Sequence, residues 1–390
     1  MRAPSEAWPT SLGTVLREWG RIGITGFGGP PAHIALLRRL CVDDRGWLDA
    51  TEFEDAIAAC NLLPGPASTE LAIFCAWRVR GRLGAVIGGL AFIVPGLIII
   101  LVLSALFLAG KPPLWVRGSG AGAAVAAVAV QAGWTLLTPS WKRASAREPV
   151  RVSRLRWALY LLAGGAASAT IGPWLVLVLL GCGAVELGLR RLSWRPSAVP
   201  GMAPLFPAVL SGGVLASVAW VAFKVGALSF GGGFVIIPLM QADAVSHYHW
   251  MTGAQFLNAV ALGQITPGPV VQTVSAVGYA AAGLPGGLLA AVVAFSPSFA
   301  FVLGGGRYFG RLRESRAAQA FLDGAGPAAI GAIFGAAIML TRALSEGWQF
   351  AVLAGAAVLL LVLRRGVVLT LLSAAAVGLV IALAGGPLPG

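Results

Sequence analysis

Long stretches of this chain are apolar at almost every position. Those from Leu83 to Leu108, Ser119 to Thr138, Gly286 to Gly304 and Val367 to Ala384 approach the roughly 20 residues a helix needs to cross a bilayer core. Two further apolar stretches are interrupted, at Phe27-Gly28-Gly29-Pro30-Pro31 and at Leu63-Pro64-Gly65-Pro66. Proline removes a backbone donor and clashes with the preceding turn, so a Pro-Gly-Pro triplet cannot continue a regular helix. In hydrocarbon the freed backbone groups need partners. Such breaks therefore survive only when buried in protein or lining a wet cavity. The pattern predicts an all-α polytopic membrane protein of about 10–13 membrane segments, including Gly/Pro-broken or re-entrant helices.

The breaks recur. Displaced by 203 residues, positions 21–66 and 224–269 match without gaps at 14 of 46 places. Phe27-Gly28-Gly29 falls on Phe230-Gly231-Gly232, and Pro64-Gly65-Pro66 on Pro267-Gly268-Pro269. Arg21 falls on Lys224, and Gly233 stands where the first half has Pro30. The chain thus divides into an N-terminal half, 1–195, a linker, 196–205, and a C-terminal half, 206–390. Arg78, Arg80 and Arg82 precede the span near 83–108, whereas Arg307, Arg311, Arg313 and Arg316 follow the span near 286–304. Basic residues stay on the cytoplasmic side, so the swap predicts two halves of inverted topology. Inversion needs an odd number of crossings between equivalent points, and the apolar runs count to an even number. Either the stretch 157–189 does not cross twice, or a Gly/Pro-broken segment is re-entrant.

Composition supports a membrane protein. Hydrophobic residues make up 57% of the 390 residues and charged residues only 11%, too few to cover a soluble surface of this size. The net charge of +13 would suit nucleic acid, but the arginines sit in short breaks between apolar runs. Lys142, Arg143, Arg147, Arg151, Arg154 and Arg156 form one such break, as cytoplasmic loops do. Cys41, Cys60, Cys75 and Cys182 make no CxxC pair, so neither a disulfide framework nor a zinc site is expected. Residues 1–11 lack the apolar core of a signal peptide. The expected location is the cytoplasmic membrane of a bacterium.

The chemistry is expected at the paired breaks. A helix restarting after a Gly-rich break presents unpaired N–H groups and a partial positive charge, which suit an oxyanion. Broken helices at corresponding places in two halves mark the binding site of a secondary transporter. The candidate substrate-contacting residues are Arg21, Phe27, Gly28, Gly29, Asn61, Pro64, Gly65, Pro66 and Thr69 in the first half. In the second they are Lys224, Ser229, Phe230, Gly231, Gly232, Gln264, Pro267, Gly268, Pro269 and Gln272. Ser68, Thr266 and Thr273 add hydroxyls nearby. A charge at Lys224, within apolar sequence, costs at least about 2.5 kcal/mol and so points to function or pairing; snorkelling to the interface is the plainer account, above all for Arg21. Glu70 would repel an anion if ionised, and is either a proton carrier or an arginine partner. Glu52, Glu54 and Asp55 read as a solvated first turn, and Asp43-Asp44 and His247/His249 as surface features.

These residues carry a family resemblance. FGGPPAHIALLRR, WLDATEFEDAIAACNLLPGPASTELA and GGLAFIVPG resemble the N-terminal repeat of the chromate ion transporter family. KVGALSFGGGFVIIPLM, WMTGAQFLNAVALGQITPGPVVQTVSAVGY and FSPSF resemble its C-terminal repeat. Regions 110–205 and 320–390 follow the family only in being hydrophobic. The resemblance implies efflux of chromate from the cytoplasm, giving chromate resistance and driven by membrane potential or a proton gradient. It needs no cofactor; its partners are a chromate- or sulfate-like oxyanion and the lipid bilayer, with a homodimer compatible and nucleic acid not. No GxxxxGK[ST] motif is present to bind ATP. The alternatives are a sulfate transporter, a channel, and a membrane enzyme. The enzyme would need a catalytic cluster that His33, His247 and His249 do not make.

Overall fold

A computed structural model describes residues 10–61, 65–108, 120–147, 149–170, 175–191, 213–229, 236–305 and 315–387. Among them are fourteen α-helices and no strand. The first half holds α1 (Leu12–Thr25), α2 (Pro30–Arg38), α3 (Ala50–Cys60), α4 (Ala67–Phe107), α5 (Ala121–Ser145), α6 (Val150–Thr170) and α7 (Leu175–Arg191). The second holds α8 (Val214–Ala227), α9 (Ile236–Gln241), α10 (Gly253–Ile265), α11 (Thr273–Gly305), α12 (Arg316–Arg342), α13 (Gly347–Ala357) and α14 (Val367–Leu383). Four are long and apolar enough to cross a membrane on length and composition: Ala67–Phe107, Ala121–Ser145, Val270–Gly305 and Arg316–Arg342.

The repeat extends to backbone detail. A π-helical turn closes α2 at Arg39–Asp44, and another closes α9 at Ala242–His247, displaced by the same 203 residues. Helices α4 and α11 each fold back once. Arg80 and Gly81 take φ, ψ of −142, 25 and 64, −155; Ala282 and Gly283 take −148, 27 and 63, −153. That second conformation is essentially restricted to glycine. After each reversal the limbs lie against each other: a Cβ on Gly84 would stand 2.5 Å from the Ala76 carbonyl oxygen, and one on Gly286 2.2 Å from that of Gly278. Each helix is thus an inner limb (67–79 or 273–281) followed by a long limb (82–107 or 284–305).

The inner limb pairs with the helix before it. Arg78, at the limb's end, meets Glu52, at the start of α3, at 2.5 Å. The chain therefore enters along α3, turns at the Pro-Gly-Pro break and returns to the same face. Helices α1 and α2 do the same about the Phe-Gly-Gly break, since Arg45, beyond α2, donates to Glu18 of α1 at 3.0 Å. In the second half Lys224 of α8 and Asp243 of the π-helical turn join the corresponding limbs. Both kinds of broken segment are re-entrant. The stretch 157–189 forms α6 and α7, joined where the Tyr160 hydroxyl donates to Glu186 at 3.1 Å.

The halves are inverted. Gly89 of α4 lies against Phe299 of α11, and Gly287 of α11 against Leu101 of α4. Numbering rises along one long limb as it falls along the other, so the pair is antiparallel. Helix α1 runs beside the α4 limb in the same direction: Val15 and Trp19 touch Gly88, and Gly23 approaches the Phe92 carbonyl. Gly226 of α8 packs likewise on the Ala294 carbonyl. Spanning helices pack through small residues, as in lipid generally; Gly164 and Gly331 bring α6 and α12 into backbone contact. Leu83, Ile98, Val102 and Val292 are exposed, as side chains facing hydrocarbon should be.

Candidate functional site

The described tips, at Gly26, at Gly65 and at Pro267-Gly268, meet the antiparallel α4–α11 pair, where each long limb carries a proline, Pro95 or Pro297. The tips are exchanged between halves. Gly268, in the second Pro-Gly-Pro turn, donates its N–H to the Gly26 carbonyl of the first half at 3.1 Å. Gln272 Nε2 donates to the Ile93 carbonyl of α4 at 2.7 Å, and a Cβ on Gly96 of α4 would meet the Pro267 carbonyl at 2.1 Å. Reciprocally, a Cβ on Gly65 would stand 3.5 Å from Ser298 Oγ of α11 and 2.2 Å from Glu70 Oε1.

The Gly26 carbonyl is the junction. It also accepts from His33 Nε2 at 2.9 Å. That contact makes Nε2 the protonated nitrogen of a neutral ring and leaves Nδ1 to accept from the Ser68 hydroxyl at 3.2 Å. The ring is buried edge-on against Phe92. One imidazole thus ties the first Phe-Gly-Gly break to the inner limb of α4, at the same oxygen that receives the second half.

Helices α2, the α4 inner limb and α11 start at this centre and run outward, and none has a side-chain N-cap. Their positive dipole ends therefore converge. Pro30 and Pro31 open α2, so that helix contributes its dipole but loses two of its N–H donors. Side-chain polar atoms supply others. Thr69 Oγ1, both oxygens of Glu70, Gln272 Oε1, Gln264 Nε2, Ser229 Oγ and Ser298 Oγ are buried and bond to nothing. Buried polar groups are rarely left so, and Glu70 and Ser298, both beside Gly65, mark a place where a ligand or water completes the bonding.

The sequence-derived candidates divide. Phe27 to Gly29, Gly65, Pro66, Thr69, Glu70, Pro267, Gly268, Pro269 and Gln272 stand at the tips. Gln264 and Ser229 are buried at the ends of α10 and α8, while Phe27, Gly28 and Asn61 are exposed. Pro64, Phe230, Gly231 and Gly232 lie outside the described residues. The two cations are held in ion pairs. Arg21 meets Glu18 at 3.0 Å with its side chain 61% exposed. Lys224 donates to Asp243 at 2.6 Å, 12% exposed, with its ammonium 5.5 Å from the Trp220 ring. In apolar surroundings an ammonium needs a carboxylate at hand, and the π-helical turn provides it. Glu52 and Glu54 are paired too, with Arg78 and Arg38, rather than forming a freely solvated turn. His33 and Ser298 gave no signal as site residues. A histidine two positions after the Phe-Gly-Gly-Pro-Pro break could have been noticed; Ser298, next to Pro297 as Gly96 is next to Pro95, replaces a glycine of the first half.

Comparison with known proteins places this geometry. The family of chromate transporters matches residues 13–187 and 216–379. The chain is 32% identical over 332 residues to a chromate transport protein of Cupriavidus metallidurans, covering 83% of this chain and 80% of that protein. It is 31% identical over 361 residues to a chromate transport protein of Pseudomonas aeruginosa, covering 87% and 83%. An uncharacterized transporter of Methanocaldococcus jannaschii is 26% identical over 325 residues, covering 79% and 78%. No solved structure matches. An integral membrane protein of two inverted halves, with re-entrant tips meeting at its centre, this chain belongs to the chromate transporter family.

Proposed function

We propose that the chain exports chromate from the cytoplasm of a bacterium through its inner membrane, at the site where the described tips of the broken segments meet, and so confers resistance. The cluster of unbonded polar atoms carries this reading. Thr69, Ser229, Ser298 and the Gln264 amide offer donors to a tetrahedral dianion without a fixed countercharge, and the converging helix starts add a positive field. A site without a permanent cation holds the anion weakly enough to release it. The face bearing Arg78, Arg143 and Arg190 is cytoplasmic by the positive-inside rule.

Membrane potential favours this direction. A dianion leaving a cell that is negative inside gains about 4.6 kcal/mol per 100 mV, twice the value for a single charge. Glu70, buried without a hydrogen-bond partner, is the proton carrier. Neutral, it donates to the oxyanion; ionised, it repels it, which couples movement of the anion to a proton. A proton that leaves with the anion reduces the net charge moved to one and the gain to about 2.3 kcal/mol per 100 mV.

The experiment uses chromate-loaded proteoliposomes, with potential and pH gradient set independently and sulfate as competitor. Export should accelerate with an inside-negative potential, and Glu70→Gln should remove the pH-gradient dependence while leaving the voltage dependence. Insensitivity to both gradients would refute the mechanism. A sulfate flux faster than that of chromate would reassign the substrate.

A further inference from the structure

We propose that a cleft at the basic face, between α5, α6, α7 and α12, is a second anion site that takes a phosphate group, carried by an anionic lipid or free in solution. Arg143, Arg147, Arg156 and Arg190 line it together with Glu186 and Asp323. The two carboxylates are shared. Asp323 pairs with Arg147 and with Arg190, the latter at 3.0 Å. Glu186 pairs with Arg190 at 2.8 Å and with Arg156 at 3.3 Å, and accepts from Tyr160. Among the described residues four guanidinium groups thus face two carboxylates, leaving two positive charges uncompensated.

The excess is visible in individual groups. Arg143 has no ion-pair partner among the described residues, and Arg156 Nε is buried with nothing to donate to. Burial, and then the charge of Arg190, draw the Arg147 guanidinium below its ordinary pKa; Glu186 opposes this and Arg143 adds to it. Guanidinium forks match phosphate oxygens bidentately, and a dianion would neutralise the surplus.

The cleft also stands apart from the transport centre. Helices α13 and α14, which correspond to α6 and α7, contain no charged residue, so among the described residues the other half has no matching cluster and the cleft is not part of the duplicated machinery. At its edge Trp141 and Trp157 meet edge-to-face with ring centroids 4.9 Å apart, and Arg154 lies over Trp141. Tryptophan at that depth is typical of the headgroup layer, where basic pockets between helices hold phosphate headgroups.

The test reconstitutes the full chain in phosphatidylcholine nanodiscs. Phosphatidylglycerol is added in one arm and inorganic phosphate in the other, with the thermal unfolding midpoint and lipid retained in native mass spectra as readouts. The midpoint should rise in at least one arm, and that arm identifies the source. Arg143→Gln removes no ion pair and should fold; it should weaken the response about tenfold, the loss of one charge-assisted contact. Arg143→Lys should keep most of it. No rise in either arm, or an equal rise in the Gln variant, would overturn the site.

Discussion

The two re-entrant frames share one backbone and differ in what they carry at the tips. After the first Pro-Gly-Pro turn stand Thr69 and Glu70; after the second stand Gln272 and Thr273. Cys60, within range of the Glu70 charge, corresponds to Gly263, which packs directly on Thr273 Oγ1. His33 corresponds to Ile236; beyond the reversal, where Gly81 and Pro95 fall on Gly283 and Pro297 at an offset of 202, Gly96 corresponds to Ser298. The clamps differ as well: the first half joins its limbs through Glu18 with Arg45, the second through Lys224 with Asp243. Duplication supplied the scaffold twice, and divergence placed the single buried acid and the single buried imidazole of the centre in one copy. An alternating transporter needs two matched gates, but one proton carrier suffices.

The largest effect should come where the frames are alike. Gly226→Val and Gly23→Val each drive a side chain into a carbonyl, that of Ala294 at 2.1 Å or Phe92 at 2.7 Å. Each should cost at least about 3 kcal/mol and abolish monodisperse protein in size-exclusion chromatography. Loss in only one half would mean that the pseudo-equivalent contacts are not energetically equivalent.

The clamps should then separate the halves. Lys224→Ala leaves Asp243 buried and uncompensated, a loss of about 3–5 kcal/mol, whereas Arg21→Ala breaks an exposed pair worth less than about 1 kcal/mol. Thermal melts should show a wide gap between the two, and Lys224→Met with Asp243→Leu should recover most of the stability. Equal melting shifts would return Lys224 to direct contact with the anion.

Next is the acid. Glu70→Gln should flatten the pH profile of vesicle transport, and Thr273→Val should leave it intact. A profile that moves with Thr273 instead would place the proton path in the other half. The smallest effect on stability belongs to Ser298→Ala, within about 0.5 kcal/mol because its hydroxyl bonds to nothing. Its effect should show as a raised KM for chromate rather than a lowered melting point.

Much of this was legible in one dimension. Apolar runs gave the bilayer, and the 203-residue offset paired the positions. The arginines at 78–82 and 307–316 gave the inversion, because charge asymmetry survives in any fold that crosses a membrane. The breaks were legible because Pro and Gly act on their own backbone. Less legible was where a broken helix goes next. Arg80-Gly81 reads as a loop flank, and only the packing of Gly84 on the Ala76 carbonyl shows the chain reversing there.

Partner choice belonged to the third dimension. Lys224 could be recognised as an expensive charge, but its carboxylate lies 19 residues away in a π-helical turn, and no periodicity announces that. The Gly26 carbonyl collects His33 from its own hairpin and Gly268 from the other half, a contact between segments some 240 residues apart in sequence. Composition and local backbone chemistry settled that this is a two-halved helical membrane protein with broken helices, since those properties act over a few residues. Which tips meet, which charges are cancelled and which polar atoms stay open depend on long-range packing, and only the folded chain decided them.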